Sequence, residues 1–200
     1  MESILIVIGL VVVTTGVFLL TNEKQKPDLG TMFWQMQTRK PHELAKSFAF
    51  AGEADRLIEM LKISEDIFPN ALEYHAAAAA TIPMLYRNHE VSWRKSETII
   101  WLLFDRLYII PTEVTHAFVA MGVGGYLGSL EDEVHVGLVE ALTDPEISKD
   151  DSKLIRFCLA LGYLRVPEAV DILTKLMNMD KRISVQRAAR SALQNMGFYL

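Results

Sequence analysis

The sequence predicts an all-α chain: a single amino-terminal transmembrane helix followed by an α-solenoid of helix pairs. Three observations carry this expectation. The chain opens with an unbroken apolar run, it has no stretch of alternating apolar and polar residues long enough for a strand, and a two-helix pattern recurs near its carboxyl end. Two hundred residues, 22.6 kDa, allow one domain of ordinary size and one appended segment. With 25 acidic against 20 basic side chains the formal charge is −5, which argues against a chain built to grip nucleic acid. Mean hydropathy is +0.19, high for a soluble protein, and nearly all of that excess sits in the first segment. The single cysteine, Cys158, excludes an internal disulfide and a multi-cysteine zinc site.

Residues 1–21 read as the anchor. From Ile4 to Leu20 every residue is apolar or small, and only Thr14 and Thr15 bring hydroxyls, which a helix can satisfy on its own preceding turn. At about 1.5 Å per residue the run and its flanks approach the roughly 30 Å of a bilayer core. A cleaved signal peptide would place basic residues before the run and a small-residue cleavage site after it, whereas Glu2 precedes it and Leu20-Thr21-Asn22-Glu23 follows. Gly9 and Gly16 fall on one helix face, where another helix can approach closely. Lys24, Lys26, Arg39 and Lys40 all follow the span, so the positive-inside bias expects the amino terminus outside and the body on the cytoplasmic, matrix or stromal side. The lipid bilayer is thus an expected partner through residues 4–20.

Residues 22–30 form a polar linker containing Pro27, and 31–200 form the helical body. Gly52 to Leu61 reads as a first helix, with the alanine-rich Ala71 to Ile82 as its partner, ended or kinked by Pro83. Trp93 to Ile110 is too apolar to be exposed and reads either as a buried central helix or as one lying against a partner; Pro111 stops it, with Thr112 as the cap of a helix running to Met121. Leu138 to Leu142 is helical, and Asp144-Pro145 is an N-cap followed by a first-turn proline. Helices follow over Lys153 to Gly162, from Val166-Pro167-Glu168-Ala169-Val170 through Met177, and over Val185 to Leu193 before Gly197.

Over Leu138 to Gly197 this pattern resembles the HEAT repeat, in the short variety named after phycobilisome lyases. Gly162, Pro167 to Val170, Leu173, Met177, Val185, Ala189, Ala192, Leu193 and Gly197 fill that family's places, and Gln186 stands where its arginine is usual. The resemblance implies a stack of helix pairs with an extended binding surface. It also implies a second reading, in which the chain is an enzyme: a chromophore lyase, or a metal-dependent hydroxylase. His42-Glu43 and His89-Glu90 resemble the dipeptides of deoxyhypusine hydroxylase, which surrounds two irons with HEAT-like repeats, although that enzyme's pattern calls for four dipeptides and two are present. Glu113-x-x-His116 and Asp132-x-x-His135 each place a carboxylate and an imidazole on one helix face, as di-iron sites require.

Catalysis finds little else. There is no Gly-x-Ser-x-Gly elbow and no P-loop, and Gly122 to Gly128 lacks the strand and the spacing of a dinucleotide loop. No cofactor or metal is expected. Charge is segregated instead: Glu131, Asp132 and Glu133 lead an acidic stretch, and Lys175, Lys181, Arg182, Arg187 and Arg190 form a basic one. The leading expectation is a non-catalytic, membrane-anchored scaffold or accessory subunit that binds other subunits of a membrane complex through these residues.

Overall fold

The computed structural model describes residues 34–36, 38–66 and 68–198. The chain divides into two units, Met1–Arg39 and Lys40–Leu200. Of the first, the described part includes a short helical turn in which the Thr38 hydroxyl donates to the Trp34 carbonyl at 3.0 Å. The second holds every helix discussed below.

Among the described residues of Lys40–Leu200 there are ten α-helices and no strand: α1 (Pro41–Ala51), α2 (Ala54–Lys62), α3 (Ala71–Asn88), α4 (Trp93–Phe104), α5 (Pro111–Val123), α6 (Glu131–Thr143), α7 (Pro145–Lys149), α8 (Asp151–Leu164), α9 (Val170–Met179) and α10 (Ile183–Asn195). Short 3₁₀ turns at Gly128–Leu130 and Pro167–Ala169 lead into α6 and α9. Short connections sort most of these helices into two rows. In one row α1, α3, α5, α8 and α10 pack successively side by side; in the other lie α2, α4, α6 and α9, each against a member of the first. We call these the close row and the open row.

Side-chain size explains the names. The buried faces of the close row are rich in small residues: Ala77, Ala78 and Ala79 on α3, Ala117 on α5, Ala160 and Gly162 on α8, Ala188, Ala189 and Ala192 on α10. Small residues let helix axes approach closely. A Cβ added to Gly162 would lie 2.5 Å from the Ala192 Cα, inside van der Waals contact, so only glycine lets α8 and α10 meet as they do. The open row buries larger residues inward, among them Ile99, Ile100 and Leu103 on α4 and Val134, Leu138 and Leu142 on α6. α4 and α6 barely touch one another; Phe104 partly fills the space between them, and a Cβ on Gly137 would come within 2.5 Å of its ring.

Two prolines behave differently from the sequence expectation. α3 does not end at Pro83 but runs through to Asn88. Proline deprives the Ala79 carbonyl of its donor, yet the helix is held on both sides by α1 and α5, and tertiary packing outweighs the lost bond. Pro111 does not merely stop the preceding segment: it occupies the first position of α5, where a missing N–H costs nothing. Thr112 is therefore inside the helix, and the Thr115 hydroxyl donates back to the Pro111 carbonyl at 2.7 Å. The expected helix over Trp93 to Ile110 ends at Phe104, and Trp101, Tyr108 and Ile109 are exposed rather than buried. Asp144 does cap α7, its carboxylate accepting from the Glu146 and Ile147 N–H groups at 2.8 and 3.2 Å.

The membrane expectation is corrected. Among the described residues no helix is long and apolar enough to cross a membrane. The 18-residue α3 has about the necessary length, but it carries Glu73, His75 and Arg87 and owes much of its apolar content to alanine. The expected span, with Ile4, Gly9, Gly16 and Leu20, lies outside the described residues. With it go the single-pass topology, the placement of amino terminus and body on opposite sides of a bilayer, the lipid contact through residues 4–20 and the anchoring role built on them.

Candidate functional site

The close row presents a groove of about 680 Å³ across α3, α5 and α8. Its apolar walls come from Pro83, Val119, Val123 and Leu159, and three tyrosines, Tyr86, Tyr126 and Tyr163, lie along it. Each helix adds one basic side chain: Arg87 from α3, His116 from α5 and Arg156 from α8, while no carboxylate lines the groove. Arg87 and Arg156 are exposed and make no ion pair with any described residue.

The tyrosines are fixed to different degrees. Tyr86 is buried, and its hydroxyl donates to the Ser96 Oγ of α4 at 2.8 Å, which ties the groove wall to the open row. Burial pushes its phenol up to about 12, so it stays neutral. Its ring packs on Tyr126 at 4.5 Å between centroids, holding the segment after α5 against α3. Tyr163, by contrast, is 57% exposed. The groove thus has an anchored end and a free aromatic.

On the open row a second groove of about 530 Å³ lies between α4 and α6, lined by Trp101, Phe104, Tyr108 and Val136. Asp132, Glu133 and Glu140 edge it, and no basic residue does. The two grooves are therefore opposite in charge.

The residues expected to bind partners do not form one site. Glu131, Asp132 and Glu133 are exposed at the start of α6, and the last two belong to the open-row groove. Lys175 is exposed on α9, Lys181 on the turn after it, and Arg187 and Arg190 on α10. Arg182 is committed internally. Its guanidinium meets both oxygens of Asp180 at 2.9 and 2.7 Å, the Ser148 carbonyl at 2.9 Å and Asp151 at 3.0 Å. The hydrogen bond from Arg182 holds the Asp180 carboxyl below its ordinary range. This clamp fastens the α9–α10 turn to the α7–α8 turn, so Arg182 serves the fold.

The metal reading is also corrected. Among the described residues no group of three or more His, Cys, Asp or Glu side chains is placed to hold a metal ion. His42 and Glu43 are exposed on α1. His89 instead binds the Phe50 carbonyl through Nε2 at 2.8 Å, closing the end of α3 onto α1. His116 faces the close-row groove, whereas His135 Nε2 lies 3.9 Å from Glu131 on its own helix. Cys158 is fully buried, and burial pushes its thiol up to about 12, which leaves it unreactive at neutral pH.

Comparison with known proteins gives no matching family model, no matching curated protein and no matching solved structure. The HEAT resemblance, with the phycobilisome-lyase and hydroxylase readings that followed from it, is accordingly withdrawn. Its Leu, Ala and Gly places are those that any row of closely packed helices requires. What stands is an all-α fold of many mutually packed helices.

The groove residues Arg87, Arg156 and Tyr163 were not singled out by the sequence. Each is a lone polar or aromatic residue within an amphipathic helix, and only the side-by-side placing of α3, α5 and α8 gathers them. The one available signal was Arg156 within the otherwise apolar run Leu154 to Leu161.

Proposed function

We propose that this chain is a protein-binding module that holds, in its close-row groove, an extended or helical partner segment combining apolar anchors with acidic side chains. The observation that carries the reading is the convergence of Arg87, His116 and Arg156 from three successive helices on an apolar, tyrosine-bearing groove with no carboxylate of its own. Arginine is well suited to the task, because its planar fork pairs with carboxylates bidentately and stacks on aromatic rings. An arginine at each side of an apolar trough gives register to a segment that the trough alone would bind in many ways. Rows of stacked helices characteristically offer such long surfaces to peptide partners.

Selection from a displayed library of random 16-residue peptides tests this directly. The expected winners combine Asp or Glu with Leu, Phe or Tyr, and their affinity for the Arg87→Glu/Arg156→Glu protein drops by about tenfold or more, with helical circular dichroism unchanged. Winners without acidic residues, or binding indifferent to the double charge reversal, would reject the reading.

A further inference from the structure

The second groove has a matching surface on the same molecule. At the α9–α10 corner, Met179 is 78% exposed and Ile183 64% exposed, and Lys181 lies between them in sequence. The two residues flank one turn, and nothing described covers them. The corner is also rigid: the Arg182 clamp fixes its base, and the Gln186 side chain donates to the Asp180 carbonyl at 2.7 Å. A projecting apolar pair on a fixed turn loses little conformational freedom on docking. Lys181 and Arg187, both exposed, make no ion pair with described residues.

The open-row groove is the complement of that corner in chemistry and in charge. It has aromatic walls, with Trp101 and Tyr108 both about half exposed, and three carboxylates, Asp132, Glu133 and Glu140, that pair with no described cation. Methionine packs favourably against aromatic rings, and lysine and arginine are drawn both to carboxylates and to the faces of Trp and Tyr. Within one molecule these surfaces are separate, because the corner is clamped to the α7–α8 turn while the groove lies between α4 and α6.

We propose that the open-row groove receives the α9–α10 corner of a second copy of this chain, Met179 and Ile183 entering between Trp101 and Val136 while Lys181 and Arg187 pair with Glu133 and Glu140. The contact joins two different surfaces, so it is head-to-tail and leaves a free groove and a free corner on every pair, from which a chain grows or a ring closes. It leaves the close-row groove uncovered, and it stands or falls separately from the peptide-binding reading.

Sedimentation velocity of the full-length protein over a range of concentrations, at low salt and at 0.5 M salt (about a 4 Å screening length), tests the contact. The expected result is concentration-dependent association at low salt that weakens at least about tenfold at high salt. A groove variant, Glu133→Lys/Glu140→Lys, and a corner variant, Lys181→Glu/Arg187→Glu, should each be monomeric alone, with wild-type circular dichroism. Mixed together they should associate again, since the intact corner of the first fits the intact groove of the second, and the reversed groove of the first matches the reversed corner of the second in charge. Three results overturn the proposal: a monomer under all conditions, association that both reversals leave intact, or reversal variants that fail to pair when mixed.

Discussion

The close and open rows bury apolar surface by different means. In the close row alanine and glycine bring helix backbones together, and the outward face is left as a shallow, basic trough. In the open row leucine, isoleucine and valine point inward, the helices stand apart, and aromatic side chains occupy the gaps, with acidic residues at their rims. Residue volume at the helix contact thus sets interhelical spacing, and spacing sets what kind of groove each face can offer.

The strongest way to break this difference is at Gly162. Replacing it with alanine forces α8 and α10 apart and should destabilise the protein by about 1–3 kcal/mol in urea unfolding. Removing the clamp comes next: Arg182→Ala should cost about 1–2 kcal/mol, with the loss shrinking in high salt as the pairs to Asp151 and Asp180 are screened. The same chemical change as at Gly162, made in the open row, sharpens the comparison. Gly137→Ala meets the side-chain ring of Phe104 first, where Gly162→Ala meets backbone, and it gains helix propensity of up to about 1 kcal/mol, so its net effect should lie well below that of Gly162→Ala. Equal losses at the two glycines would show that both rows are packed to the same tolerance.

The smallest effect at neutral pH concerns the buried His75 of α3. Its Nε2 donates to the Ile63 carbonyl at 2.8 Å, and burial, reinforced by the nearby Arg106 charge, lowers its pKa below the ordinary 6.5. The unfolded chain therefore takes up a proton near pH 6.5 that the folded protein resists, so stability is complete above that value and falls as the solution is acidified through it. His75→Gln can keep the bond to Ile63 without titrating, and its Tm should decline less than the wild type's between pH 7 and pH 5 (roughly the span of the ordinary histidine titration).

Local chemistry made part of this fold legible. Asp144-Pro145 announces a helix start because capping geometry involves only adjacent residues, and the recurring Leu and Ala spacing after Leu138 marks helices correctly. Prolines were harder, since their local meaning is ambiguous: Pro111 begins a helix rather than only stopping one, and Pro83 sits inside one that its neighbours hold. Charge runs identified exposed residues but not their obligations, so Arg182 counted as a partner cation although it closes a turn. The close-row groove was illegible for a deeper reason. Arg87, His116 and Arg156 belong to separate helices, and no periodicity within one helix reports which residues of the next will stand beside them.

The strong close-row contacts run from α1 to α3, to α5, to α8 and to α10, each helix gripping mainly the next. Load applied between the two ends of the row passes through these interfaces in series, as through links. The Gly162–Ala192 contact and the Arg182 clamp both secure the last link, whereas α5 meets α3 and α8 without a described ion pair across either boundary. Stretched in an optical trap, the molecule should therefore yield first near its middle, and the groove that spans α3, α5 and α8 should release a bound segment before either end unravels.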